Sequence, residues 1–98
     1  MIVNRRTFLV KKGGMDKAVE LIKTATDRLE HNLTRRIYTP MLGSFDIVVW
    51  EGEYTDLNAY QRDVDLFAMA AWRDPFMHDL DSVTEAGGSN EIWSVESM

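Results

Sequence analysis

The run Phe45-Asp46-Ile47-Val48-Val49-Trp50-Glu51-Gly52-Glu53-Tyr54 constrains the fold of this chain more than any other stretch. It is dense in β-branched and aromatic residues and follows Leu42-Gly43-Ser44, which reads as a strand after a turn. Successive side chains on a strand point to opposite faces. Ile47, Val48, Val49 and Trp50 are nevertheless apolar without a break, so both faces of this strand seek burial. One layer of helices covers only one face of an antiparallel sheet. The chain has 98 residues, a length that predicts a single domain over residues 1–98. The second face then has to be covered by another copy of the chain.

The remaining segments supply the layers. Residues 2–10 read as a first strand, with Asn4, Arg6, Phe8 and Val10 on one face and Val3, Arg5, Thr7 and Leu9 on the other. Lys11-Lys12-Gly13-Gly14 is a turn. Met15, Ala18, Val19, Ile22, Ala25, Leu29 and Leu33 recur at helical spacing and predict a helix from residue 15 to about 31, with Asn32 as its stop. Residues 34–39 form a second strand ended by Pro40, and the short 40–44 connection makes an antiparallel hairpin with the opening strand. Thr55 is the expected N-cap of a second helix. Its apolar stripe is Leu57, Tyr60, Val64, Phe67, Ala68 and Ala71, with Arg62, Asp63 and Asp65 off it. Trp72-Arg73-Asp74-Pro75 breaks that helix. Asp74 is read as the cap of a third, which starts at Pro75, carries Phe76, Leu80 and Val83, and closes at Gly87-Gly88. Residues 90–96 are a last strand. The order β-α-β-β-α-α-β is that of two split βαβ units. It predicts an α+β, ferredoxin-like βαββαβ sandwich with a four-stranded antiparallel sheet and helices on one face. The bare face, to which Ile92 and Trp93 are assigned beside the apolar strand, predicts a homodimer.

Several classes of function are disfavoured. There is no cysteine, which removes disulfides, thiol catalysis and thiolate metal sites. A net charge of −5 argues against a nucleic-acid partner, and Arg5-Arg6, Lys11-Lys12 and Arg35-Arg36 read as solvated strand flanks and ends. No apolar run approaches the ~18 residues of a membrane span, so no membrane partner is expected. No apolar segment follows Arg5-Arg6 as a signal peptide would require, and a cytoplasmic location is expected.

Candidate chemistry is sparse. His31 and His78 are the side chains that ordinarily titrate near neutrality. His31, near a helix end, reads as a partner of the helix dipole. His78 lies on or beside the stripe of the third helix and either faces a cleft or merely flanks it. Tyr38, Trp50, Tyr60 and His78 can line a cavity between helices and sheet, with methionines such as Met69 and Met77 as soft walls. The same aromatics and methionines can equally be plain core. Arg6 and Arg36 are expected to point inward. Either pairs with Asp46 or Glu51, or it is left to bind a carboxylate or phenolate. Asn4 shares a strand face with Arg6, which makes the two a natural polar pair.

The chain resembles the dimeric α+β barrel proteins, and within them the NIPSNAP-like branch. The resemblance lies in Asn4-Arg5-Arg6-Thr7-Phe8, in Lys11-Lys12-Gly13-Gly14-Met15, and in Leu42-Gly43 before Ile47-Val48-Val49-Trp50. It continues through Tyr54-Thr55-Asp56-Leu57 and Trp72-Arg73-Asp74-Pro75-Phe76. The chain departs from that pattern at Phe8, where tyrosine is common, and at Glu51-Gly52-Glu53, which reads as a bulge. The resemblance implies that two sheets close on each other in a dimeric α+β barrel. It also implies either a protein that binds a small, partly apolar or aromatic molecule between helices and sheet, or a cofactor-independent monooxygenase or isomerase acting on an aromatic, polyketide-like substrate. In the enzyme, Arg6, Asn4 or Tyr38 would bind an oxyanion and His78 would move a proton, with Trp50 and Tyr60 holding the substrate. The superfamily's haem-degrading branch takes an axial histidine from a helix, for which His78 is the candidate. The accompanying aromatic-and-asparagine set has no counterpart here, so no cofactor is expected.

Overall fold

The computed structural model describes residues 1–31 and 33–98. The elements are β1 (Ile2–Val10), α1 (Met15–Arg28), β2 (Arg35–Tyr38), β3 (Ile47–Tyr54), α2 (Leu57–Met69), α3 (Arg73–Asp81) and β4 (Thr84–Ser94). The strands form one antiparallel sheet in the order β2-β3-β1-β4. This is the ferredoxin-like α+β arrangement expected from the alternation of strands and helices, with the helices on one face. A core of Val10, Ala18, Ile22, Ala25, Val48, Trp50, Phe76 and Leu80 lies between the layers. Ile22, Leu80 and Val48 are its largest fully enclosed side chains, each contributing about 1.5–3 kcal/mol of hydrophobic stabilisation.

The opening strand divides its apolar run as the pleat demands. Val48 and Trp50 face the helices and are buried, while Ile47 and Val49 face the other way and are half-buried. Trp50 therefore belongs to the helix side, in an edge-to-face arrangement with Phe76 at 6.0 Å between ring centres. Phe45, read as the start of this strand, is instead 88% exposed in the preceding loop with Met41 and Leu42. The strand starts later because Asp46 adopts a left-handed backbone (φ 55°) and uses its carbonyl to close the end of β1 through the Val10 N–H. Asp46 is thus a turn residue, not a partner for Arg6 or Arg36.

Other boundaries move for local reasons. α1 ends at Arg28, where Leu29 turns to extended backbone. Thr26 donates its hydroxyl to the Ile22 carbonyl within that last turn, a bond that competes with the helical pattern. His31 Nε2 then donates to the Asp27 carbonyl at 2.8 Å, and the expected stop at Asn32 lies outside the described residues. α2 is capped by the Asp56 carboxylate, which accepts from the Ala59 N–H, in place of the expected Thr55. α3 begins at Arg73, so Pro75 sits inside its first turn.

The largest difference is at Gly87-Gly88. They do not end a helix but lie within β4, where Ala86, Gly87 and Gly88 stand opposite the single residue Phe8. Both glycines have positive φ (113° and 84°), and a Cβ on Gly88 would run into the Thr7 carbonyl, so only glycine fits this bulge. The bulge expected at Glu51-Gly52-Glu53 is absent, since β3 pairs with β1 in unbroken register from Ile47 to Tyr54. β4 is exposed along nearly its whole length, because the helices do not reach over this edge of the sheet. Ile92, opposite Asn4, falls on the helix side and not on the bare face, whereas Trp93, opposite Val3, falls on the bare face and is 54% exposed.

Candidate functional site

Two adjacent spaces lie between helices and sheet. The inner one is a chamber of about 40 Å3 lined by Asn4, Arg6, Arg35, Trp50, Gly52, Tyr54, Tyr60, Asp63 and Phe67 among others. The outer one is a groove of about 440 Å3, formed where α2 and α3 stop short of β4 and lined by Arg6, Phe8, Trp50, Phe67, Phe76, Met77 and residues 87–90. Arg6, Trp50 and Phe67 border both. The β4 bulge at Gly87-Gly88 forms one side of the groove, across from Phe8.

A charged network forms the chamber's far wall. The two terminal nitrogens of Arg35 hold the Asp63 carboxylate at 2.8 and 2.9 Å, and the Tyr54 hydroxyl donates to the same carboxylate at 2.6 Å. The Arg35 and Asp63 side chains are 7% and 10% exposed, so the pair lies out of water. Burial alone would push the Asp63 carboxyl up, but the hydrogen bonds from Arg35 and Tyr54 prevail and hold it below its ordinary value. Burial, and next the Asp63 carboxylate, push the Tyr54 phenol far up, so Tyr54 is a neutral donor. Gly52 makes the geometry fit: a Cβ there would lie 3.0 Å from the Tyr54 hydroxyl, whose ring folds back over the strand.

Asn4 is buried and donates its Nδ2 to Asn90 Oδ1 at 2.7 Å and to the Glu91 carbonyl at 3.0 Å, tying β1 to β4. Arg6 is half-buried and, among the described residues, makes no side-chain hydrogen bond and no ion pair. Four of the residues proposed from the sequence, Asn4, Arg6, Trp50 and Tyr60, are brought together at the chamber. Two are not. Tyr38 projects from the opposite face of the sheet, because its register partner is Val49, and donates to Glu51 at 3.0 Å. His78 is exposed on α3 and lines neither space, although its neighbour Met77 lines the groove. Met69 is 78% exposed and lines neither. Arg36 also lies on the bare face, bound to Glu53 at 2.6 Å and near Glu51.

The sequence reading missed Arg35, Tyr54 and Asp63. Asp63 was placed off the apolar stripe, yet it is the buried residue of α2. Its spacing carried the signal: it lies three residues after Tyr60 and four before Phe67, on the same helical face. Among the described residues no cluster of His, Asp and Glu side chains could hold a metal ion.

No protein-family model and no curated protein sequence matches this chain. Solved structures do match in fold. An uncharacterized NIPSNAP domain protein from Burkholderia xenovorans superposes with a TM-score of 0.83 at 14% identity, covering 99% of this chain and 96% of that one. A NIPSNAP family protein from Agrobacterium tumefaciens gives 0.80 at 17% identity, covering 97% and 85%. An antibiotic biosynthesis monooxygenase gives 0.67 at 14% identity, covering 99% and 100%. The resemblance to NIPSNAP-like proteins read from the sequence thus holds at the level of the fold.

Proposed function

We propose that this protein binds a small, partly apolar molecule between its helices and its sheet, in the groove beside Arg6 and Trp50. The observation that carries this reading is the groove itself. Its volume falls in the range of about 300–1,000 Å3 common for ligand sites, and its walls combine aromatic rings and Met77 with one cationic side chain. The alternative, a cofactor-independent monooxygenase or isomerase, needs a proton-moving group at the groove. His78 lines neither space, and Asp63 is held by Arg35 and Tyr54, so binding is the reading that this geometry favours. Titration with naphthalenemethanol, followed by amide NMR, tests it. Shifts concentrated at Phe8, Phe67, Met77 and residues 87–90 are expected; saturation without shifts there would sink the groove as a site.

We further infer that the bare face of the sheet pairs with a second copy. Val3, Leu9, Ile47, Val49 and Trp93 share that face. Its β3 charges are matched: Arg5 donates twice to Glu51, at 3.0 and 2.8 Å, Tyr38 donates to the other Glu51 oxygen, and Arg36 binds Glu53. Glu85 and Glu91 of β4, opposite Leu9 and Arg5, share this face without an ion pair among the described residues, so a pairing that leaves them in water avoids burying a lone carboxylate. Sedimentation at micromolar concentration should show a dimer that Val49→Lys converts to a folded monomer; a wild-type monomer refutes the pairing.

A further inference from the structure

The inner chamber has hydrogen-bond donors left over and too few acceptors. Its walls bring together two guanidinium groups, Arg6 and Arg35, and one carboxylate that faces them, Asp63. Both Asp63 oxygens are already taken, one by Arg35 and the other by Arg35 and Tyr54. Glu51 touches the chamber, but its carboxylate lies on the bare face with Arg5 and Tyr38. What remains is one neutral acceptor, the Asn4 amide oxygen, against several donors. Among the described residues the half-buried Arg6 guanidinium and Tyr60 hydroxyl have no partner, and Arg35 Nε alone is fully enclosed without one. A buried donor without an acceptor carries a desolvation cost of about 1–3 kcal/mol. The Arg35 side chain is 7% exposed, so bulk water offers little relief.

One unit of positive charge is therefore uncompensated in a space of about 40 Å3. By the same measure a water molecule needs roughly 10–15 Å3, so the chamber holds a group of carboxylate size and nothing as large as a ring. The chamber and the groove share Arg6, Trp50 and Phe67.

We propose that the ligand is an apolar monocarboxylate bound head inward, its carboxylate held in the inner chamber by Arg6 with Tyr60, and its apolar body lying in the outer groove. The planar guanidinium of Arg6 suits two-point contact with a carboxylate. This assignment rests on the groove reading above and adds the chemical class and orientation of the ligand.

The experiment compares naphthoate with naphthalenemethanol, on the wild type and on Arg6→Met, by calorimetry at constant ionic strength. Thermal melts in acetate run alongside. Naphthoate should bind the wild type roughly ten- to a hundredfold more tightly than the alcohol, the worth of one charge-assisted hydrogen bond. Arg6→Met should erase that preference while still binding the alcohol, which shows the variant to be folded. Equal affinities for the two probes in the wild type overturn the carboxylate assignment and leave the groove standing. If neither naphthalene binds but acetate raises the melting temperature of the wild type and not of Arg6→Met, the groove reading fails and the anion chamber stands. If neither binds and acetate does nothing, both are overturned.

Discussion

Replacing Asp63 by alanine probes the least expected feature of the molecule, a carboxylate on the buried face of α2. The loss can be worked from the contacts. Removing one partner of a buried ion pair costs about 3–5 kcal/mol, because the other charge stays in the interior without compensation. Here Arg35 would keep its guanidinium inside with both former bonds to Asp63 gone. The Tyr54 hydroxyl would also lose its acceptor, worth about 1–3 kcal/mol in isolation. The two terms share a carboxylate and do not add in full, so a total near 4 kcal/mol is expected. A domain of this length is typically stable by about 5–15 kcal/mol, and the melting temperature should fall on the order of 15–30 °C. Urea unfolding followed by tryptophan fluorescence reads this directly. Two companion variants separate the ion pair from packing. Tyr54→Phe should cost about 1 kcal/mol alone and almost nothing on top of Asp63→Ala. Arg35→Met with Asp63→Leu should recover most of the loss, since a well-packed apolar pair replaces a buried salt bridge at little cost. A loss below about 1 kcal/mol for Asp63→Ala would place the pair in the surface class and refute the buried-network reasoning.

Three further outcomes are expected. Gly52→Ala should destabilise by about 1–3 kcal/mol, as overpacking does, since its Cβ displaces the Tyr54 hydroxyl from Asp63; a wild-type urea midpoint would contradict this. The folded Asp63 carboxyl titrates below its ordinary 3.8, so its contribution is fully present above that pH and is lost as pH falls through the folded value. Urea midpoints of wild type and Asp63→Asn should therefore differ fully above about pH 3.9 and draw together as pH falls through the lowered folded value. The raised Tyr54 phenol has the opposite sign: its contribution is present below its ordinary 10.0 and is lost as pH climbs through the folded value. Ultraviolet titration should find Tyr54 ionising only with alkaline unfolding; a wild-type tyrosine signal complete by pH about 10.5, with the fold intact, would exclude that.

The order of elements was legible in the sequence because periodicity is a local property. The stripe of α1, with Ala18, Ile22 and Ala25 buried, follows from helical spacing alone. The strand face shared by Asn4, Arg6 and Phe8 follows from the two-residue repeat, and so does the split of Ile47, Val48, Val49 and Trp50 between two faces. The family resemblance rested on such cues and held for the fold. What spacing cannot state is what lies across from a residue. That Trp50 meets Phe76 and not a partner subunit depended on which sheet face the helices cover. That Tyr38 leaves the site depended on its pairing with Val49. The bulge that lines the groove is visible only once Ala86, Gly87 and Gly88 are set against Phe8. Asp63 looked like a solvated residue, because a charge on a helix is normally wet. Only the sheet, by bringing Arg35 and Tyr54 under α2, made burial of that charge affordable.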